Sequence, residues 1–404
     1  MVTVSLLLCV TGASATFLPP SSSRREEWQK RGLNVVSITK HIKSSESNER
    51  RRLRFSKRAD GGEEFSNGAP LDGLSLLPFR SLSVAHVKHA GIYLGQIELG
   101  TPGQNFTLQF ATGSADLWVY GPDANTTKHP KFATSASSTF VGSATPWEIT
   151  YSDGTTTTGF VAQDTLGIAG FTIPSQGFSV ANITSEQLDS EVEDGLIGLG
   201  FSTLASNKQT TFMEHLIAGH GGTLNSPVFS LFLERDITFQ NFNSSSATDS
   251  TGGEICVGCM DESRYKGNVT FVDVASDIFW AVDCQGLTAN GKTISGTNMR
   301  ILVDSGSSIV NLPANIIQAY AEGIGASIQN QGGGNYVLVM SCGALATLGF
   351  GFNIGGNIYD VAPLDLFVGT TQGGQCAAQA VDSNNIPLGV VGDAFMKNWY
   401  TVFS

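Results

Sequence analysis

Phe106-Thr107-Leu108-Gln109-Phe110-Ala111-Thr112-Gly113-Ser114 and Met299-Arg300-Ile301-Leu302-Val303-Asp304-Ser305-Gly306-Ser307 are two copies of one pattern, an extended apolar segment that runs into a tight turn. Each copy is followed at nearly the same distance by two bulky apolar residues and a glycine. Leu196-Ile197-Gly198 ends 87 residues after Ala111, and Val390-Val391-Gly392 ends 88 residues after Asp304. A duplicated unit too small to enclose a cleft by itself implies two lobes related by an approximate two-fold axis. The two turns would then meet on that axis.

The sequence around the repeat reads as β-structure. Residues 93–99 and 159–162 alternate or run apolar in strand fashion, and Gly, Asn-Gly and Asp-Gly steps punctuate the chain. Only 14% of the 404 residues are charged, which argues against long solvated helices. Short helices are expected over residues 211–218, 314–324 and 394–399.

The ends of the chain differ in character. Residues 4–10 form an apolar run followed by Ala13-Ser14-Ala15, the pattern of a secretory signal peptide cleaved after residue 15. Residues 1–58 hold 12 Lys/Arg against 4 Asp/Glu, whereas the remainder holds 11 against 31. A basic leader therefore precedes an acidic body, and the dibasic Lys57-Arg58 marks the change. The expected division is a signal peptide at 1–15, a basic propeptide at 16–58, a mature N-terminal segment at 59–90, an N-terminal lobe at 91–229 and a C-terminal lobe at 230–404. An acidic body repels nucleic acid and anionic membranes. No stretch is long and apolar enough for a membrane span. The product is expected to be secreted, extracellular and monomeric, without metal or cofactor. Asn-x-Ser/Thr acceptors occur at Asn105, Asn125, Asn182, Asn243 and Asn268.

The two turns, together with Gly100-Thr101-Pro102, Leu117-Trp118-Val119 and Ile149-Thr150-Tyr151-Ser152-Asp153-Gly154, make residues 91–403 resemble the pepsin-like aspartic endopeptidases, especially secreted fungal members. The resemblance implies an all-β, bilobal fold of two pseudo-two-fold-related lobes around a central cleft, and acidic hydrolysis of peptide bonds by two aspartates and a water. One carboxylate takes a proton from the water while the other protonates the carbonyl, and the pair shares a proton because like charges so close cannot both ionise. It carries the second aspartate onto Asp304 and the first onto position 111, where this chain has Ala111. Tyr151, Asp153 and Gly154 would belong to a flap over an extended peptide, and Gly113, Gly306 and Ser307 would line the cleft floor. Partners implied are a peptide or protein substrate, a pepstatin-like inhibitor and the chain's own propeptide.

Alanine supplies neither acid nor base, so the resemblance also implies a severely impaired or inactive enzyme. General acid–base assistance alone is worth about 10²–10⁴-fold. Asp116, the nearest other carboxylate, leads into Trp118 and is not expected to replace the lost group. The alternatives are a peptide- or inhibitor-binding pseudoprotease and a nonfunctional remnant. Family members also continue past the segment matching Trp399-Tyr400-Thr401-Val402-Phe403 with a turn and a final strand, so a second lobe truncated at Ser404, with an unpaired sheet edge, is expected.

Five cysteines follow Cys9. The resemblance implies a bond between Cys342 and Cys376. Cys256-Val257-Gly258-Cys259 has half a zinc site's spacing without a second half, and reads as a strand with one or two buried thiols; whether Cys284 pairs with Cys256 or Cys259 stays open. Gly286-Leu287-Thr288-Ala289-Asn290-Gly291-Lys292-Thr293 matches the phosphate-loop pattern, but Asn290-Gly291 signals a hairpin and no helix pattern follows.

Overall fold

The computed structural model describes the strand pairing of residues 5–10 and 35–42, and residues 91–404 apart from 223, 225, 235–249, 268, 333–334, 372 and 382–386. The expected processing points at residues 13–15 and 57–58, the segment 59–90, and the acceptors Asn243 and Asn268 lie outside the described residues. Strands dominate, and the helices are short.

Three sheets build the molecule. In the largest, strands Gly91–Leu99, Gln104–Ala111, Gly195–Gly198, Leu117–Tyr120, Phe171–Thr184 and Thr156–Ile168 follow one another, and the last pairs back onto the first through Glu98 and Leu99. That closure makes the first lobe a small barrel around Leu99, Leu108, Phe132, Ile173, Phe178 and Ile197, all buried. The second sheet runs Val310–Asn311, Gly389–Val391, Met299–Val303, Ala281–Ala289, Phe350–Ile354, Asn357–Asp360. The third holds Ser327–Gly332, Asn335–Met340, Cys376–Gln379 and Phe367–Thr370.

The duplication seen in sequence is a duplication of topology. Gln104–Ala111 lies parallel to Gly195–Gly198, with Ala111 opposite Gly198, and Met299–Val303 lies parallel to Gly389–Val391, with Val303 opposite Val391. Glycine is required after each apolar pair because the chain passes against the neighbouring turn. A Cβ at Gly198 would collide with the Ala115 backbone, and one at Gly392 with the Ser307 carbonyl.

Where the lobes join, Phe229 stacks on Phe403 at 4.7 Å, and Trp280 packs edge-on against both while donating its indole N–H to the Leu199 carbonyl at 2.8 Å. Strand Trp399–Phe403 pairs with Phe229–Leu233 on one side and with Ser5–Val10 on the other, and Ser5–Val10 pairs in turn with Val269–Asp273. The sheet edge expected to be unpaired is therefore covered in the intact chain, by the apolar run whose sequence reads as a signal. Val35–Ile42, in the basic leader, likewise fills the gap between Ser250–Val257 and Gly91–Leu99.

Helices form at Phe212–Ile217, capped by Thr211 and Glu214, and at Ala314–Ile324. The third expected helix is only Asp393–Met396, because Trp399 already begins a strand. The phosphate-loop look-alike is a hairpin: Asn290 (φ 51°) and Gly291 (φ 76°) turn Ala281–Ala289 back onto Lys292–Thr293.

Cys342 is bonded to Cys376. The reading of Cys256 and Cys259 as buried thiols is corrected, since Gly258 (φ 73°) turns the chain so that the two form a disulfide across a Cα–Cα distance of 5.4 Å. Cys284 stays a buried free thiol, and burial pushes it up to about 11.

Candidate active site

The two turns meet through hydroxyl groups. Thr112 donates its backbone N–H to Ser305 Oγ at 3.1 Å, and Ser305 returns its own N–H to Thr112 Oγ1 at 2.9 Å. Each hydroxyl then crosses to the opposite strand, Thr112 Oγ1 donating to the Val303 carbonyl and Ser305 Oγ to the Phe110 carbonyl, both at 2.8 Å. All four groups are buried, so every bond replaces water that cannot reach them. Gln109 Nε2 adds a further link to the Gly306 carbonyl at 3.2 Å.

This junction fixes Ala111 and Asp304 opposite each other. A Cβ on Gly306 would stand 2.9 Å from Ala111 Cβ and 3.1 Å from Asp304 Oδ1, and one on Gly113 would stand 2.5 Å from Asp304 Cγ. Both glycines are needed for this approach. Asp304 Oδ1 accepts the Gly306 and Gly113 amides, each at 2.8 Å, and its Oδ2 accepts the Ser307 hydroxyl at 2.6 Å. The carboxylate thus receives two donors from its own turn and a third from across the axis. Ala111 is 2% exposed and packs with Trp118, Tyr120, Leu188 and Leu196.

Above the junction, strands Val141–Thr150 and Thr156–Ile168 form a hairpin whose tip spans residues 151–155. Tyr151 N–H donates to the Thr155 carbonyl at 2.8 Å, and Gly154 at φ 81° makes the tight return. Asp153 Oδ1 accepts the Thr155 amide and hydroxyl, which stiffens the tip. Trp118 Nε1 donates to the Tyr151 hydroxyl at 2.8 Å, tying the hairpin to the first-lobe wall. Burial, with Asp116, Glu193 and Asp153 nearby, pushes the Tyr151 phenol far above its usual range, so it stays a neutral hydroxyl.

Asp116 does not face the junction. Its Oδ1 accepts Trp147 Nε1 and the Asn207 amide, and its Oδ2 accepts the Ser206 amide, all within 2.8–2.9 Å. It is 1% exposed, and burial raises it above the ordinary carboxylate value despite those donors. It braces the wall behind Trp118. Among the described residues, no group of three or more His, Cys, Asp and Glu side chains could hold a metal ion.

The family description "Eukaryotic aspartyl protease" matches residues 92–404. The chain belongs to that family. It is 31% identical to rhizopuspepsin of Rhizopus chinensis over 77% of this chain and 75% of that one. It is also 31% identical to major aspartyl peptidase 1 of Cryptococcus neoformans, over 80% and 68%, and 30% identical to pepsin A of Rhinolophus ferrumequinum, over 77% and 78%. The all-β, two-lobed architecture is the family's, and no described helix is long and apolar enough to cross a membrane.

Sequence reading named Asp304, Ala111, Gly113, Gly306 and Ser307, and the structure brings these five together. Tyr151, Asp153 and Gly154 lie on the hairpin tip. It missed the Thr112–Ser305 junction, although a hydroxyl residue at the same place in both repeats was its signal. It also missed Trp118 as the partner of Tyr151. Of the glycosylation acceptors, Asn105 and Asn125 are exposed and Asn182 is half-buried.

Proposed function

We propose that this chain is an exported aspartyl protease homologue that holds extended peptides between its lobes and hydrolyses them very poorly, because Ala111 occupies the place of the family's first catalytic aspartate. The observation that carries the reading is the pairing at the axis, where one carboxylate with three hydrogen bonds stands opposite a methyl group. Asp304 can take a proton from a water lodged beside it. No second acid is at hand to protonate the carbonyl, and Asp116, committed to three N–H donors behind Trp118, is not aimed at the site.

Peptide binding survives this loss. The Tyr151–Trp118 bond keeps the hairpin tip over the cleft, and Ser152 and Gly154 are exposed on that tip, where a strand-like ligand would pass. The basic leader has the charge to cover an acidic body before processing, and Lys57-Arg58 offers another protease a cutting point, so maturation does not require self-cleavage.

The test is restoration. Ala111→Asp is expected to cleave an unstructured protein at acidic pH at least about 10²-fold faster than the parent, while a pepstatin-like inhibitor binds both. Equal rates in the two proteins, whether both brisk or both nil, would overturn the assignment of position 111.

A further inference from the structure

The two turns have the same length and shape but are not equally satisfied. Ser307, three residues after Asp304, donates its hydroxyl to Asp304 Oδ2. Ser114 stands three residues after Ala111, is half-buried, and its hydroxyl has no hydrogen-bond partner among the described residues. The amides differ as well. Gly306 N–H serves the carboxylate of its own turn, whereas Gly113 N–H, at the matching place, reaches across to the same Asp304 oxygen. One lobe thus has an acceptor and its donors. In the other, the Gly113 amide is spent across the axis and the Ser114 hydroxyl is left without an acceptor, beside a methyl group that belongs to the apolar cluster of Trp118 and Leu196.

We propose that one carboxylic acid group from outside the chain takes the place beside Ala111 that a side-chain acid would fill, held by the Ser114 hydroxyl and sharing a proton with Asp304. This rests on the assignment of position 111 made above. A carboxyl group supplies what this turn lacks beside its twin: an acceptor for Ser114 and a proton to share with the adjacent Asp304 carboxylate. It must enter protonated, because two like charges at this separation cannot both persist. The group can belong to a short free acid, such as formic or acetic acid, or to an Asp or Glu side chain of the bound peptide.

With the acid in place the chemistry balances. The Asp304 carboxylate removes a proton from water, whose oxygen bonds to the peptide carbon while the guest acid passes its proton to the carbonyl oxygen. In the breakdown step Asp304 returns its proton to the leaving nitrogen, the C–N bond breaks, and one hydroxyl of the diol gives its proton back to the guest. Water and peptide are consumed, an amine and an acid are released, and the guest is regenerated.

The test uses the purified protein at one acidic pH and constant ionic strength, with sodium formate replacing methanesulfonate, which has like charge and no proton to give. Substrates are matched peptides carrying Glu or Gln beside the cleavage point. Saturable acceleration by formate of about 10²-fold, absent in Ala111→Asp, lost in Ser114→Ala and kept in Ser114→Thr, would establish the free acid as the guest. Cleavage of only the Glu peptides in methanesulfonate would establish the side chain. Carbon-13 formate should broaden on titration with the parent protein and not with Ala111→Asp. If Ala111→Asp cleaves while the parent stays inert to formate, acetate and acidic peptides, the guest site is refuted and the assignment of position 111 stands. If Ala111→Asp is also inert, both fall.

Discussion

Restoring the acid should weaken the fold at neutral pH. In Ala111→Asp a second carboxylate enters opposite Asp304, where Gly306 already brings the two positions within reach of one methyl-sized point. Two charges about 4 Å apart at an effective dielectric constant of about 20 repel by about 4 kcal/mol. Keeping one proton at pH 7 on a carboxyl whose unfolded value is about 3.9 costs about the same. Against this, Ser114 gains an acceptor, worth about 1–2 kcal/mol. A net loss of about 2 kcal/mol is expected at pH 7, a melting-temperature drop of about 3 °C for a body of this size. The sign follows from linkage: the shared proton raises the pair's folded value above the unfolded one. The variant therefore matches the parent below about pH 4 and falls behind as pH rises. Scanning calorimetry of both proteins from pH 3 to 7 reads this directly. A difference that does not change with pH, or a variant more stable at pH 7, would refute the placement of position 111 against Asp304.

Four further outcomes are expected. Tyr151→Phe removes the acceptor of Trp118 Nε1 and leaves a buried indole N–H unpaired, so stability in denaturant unfolding should fall by about 1–3 kcal/mol, and inhibitor affinity measured by calorimetric titration should fall about 5-fold, or about 1 kcal/mol. Thr112→Val and Ser305→Ala should each lose about 2–3 kcal/mol in denaturant unfolding, and the double variant should lose clearly less than their sum, because they break one network. Asp116→Ala should cost about 3 kcal/mol of stability, since it strands three N–H donors, two of them buried, and should leave inhibitor binding by the folded fraction intact. His129 is opposed most by its burial, yet hydrogen bonds to Asp194 and the Asp189 carbonyl raise its value above 6.5. Its contribution is therefore full below about pH 6.5 and lost above, and His129→Gln should flatten the melting curve's pH dependence between about pH 6 and 8.

What was legible in the sequence was whatever the duplication wrote twice. Ala111 and Asp304 could be paired from the chain alone because their strands, turns and following apolar-glycine triplets repeat at matched spacing, and the parallel pairing of each triplet with its strand is how the fold uses them. The Asn290-Gly291 hairpin was legible because those two residues adopt positive φ readily. Features that depend on one local turn were not. Cys256 and Cys259 meet only because Gly258 folds back, and spacing alone could not tell that from a bond to Cys284. The strand pairing of Ser5–Val10 was hidden for a different reason: an apolar β-prone run satisfies a signal sequence and a sheet edge equally well. Thr112 and Ser305 look like ordinary turn residues until each is found accepting from the other's amide.

That last pair explains how the fold closes on its axis with alanine at position 111. The four hydroxyl bonds that clamp one turn to the other come from Thr112, Ser305 and the Phe110 and Val303 carbonyls, and the one carboxylate bond that crosses the axis, from the Gly113 amide, goes to Asp304 and needs nothing from position 111. Ala111 meanwhile adds its methyl to the cluster of Trp118, Tyr120 and Leu196 and brings no charge beside Asp304. Scaffold and chemistry occupy adjacent atoms of the same turn but rest on different groups. A substitution at 111 therefore removes a repulsion and leaves the clamp untouched, whereas a substitution at 112, one residue on, would spare the carboxylates and open the lobes.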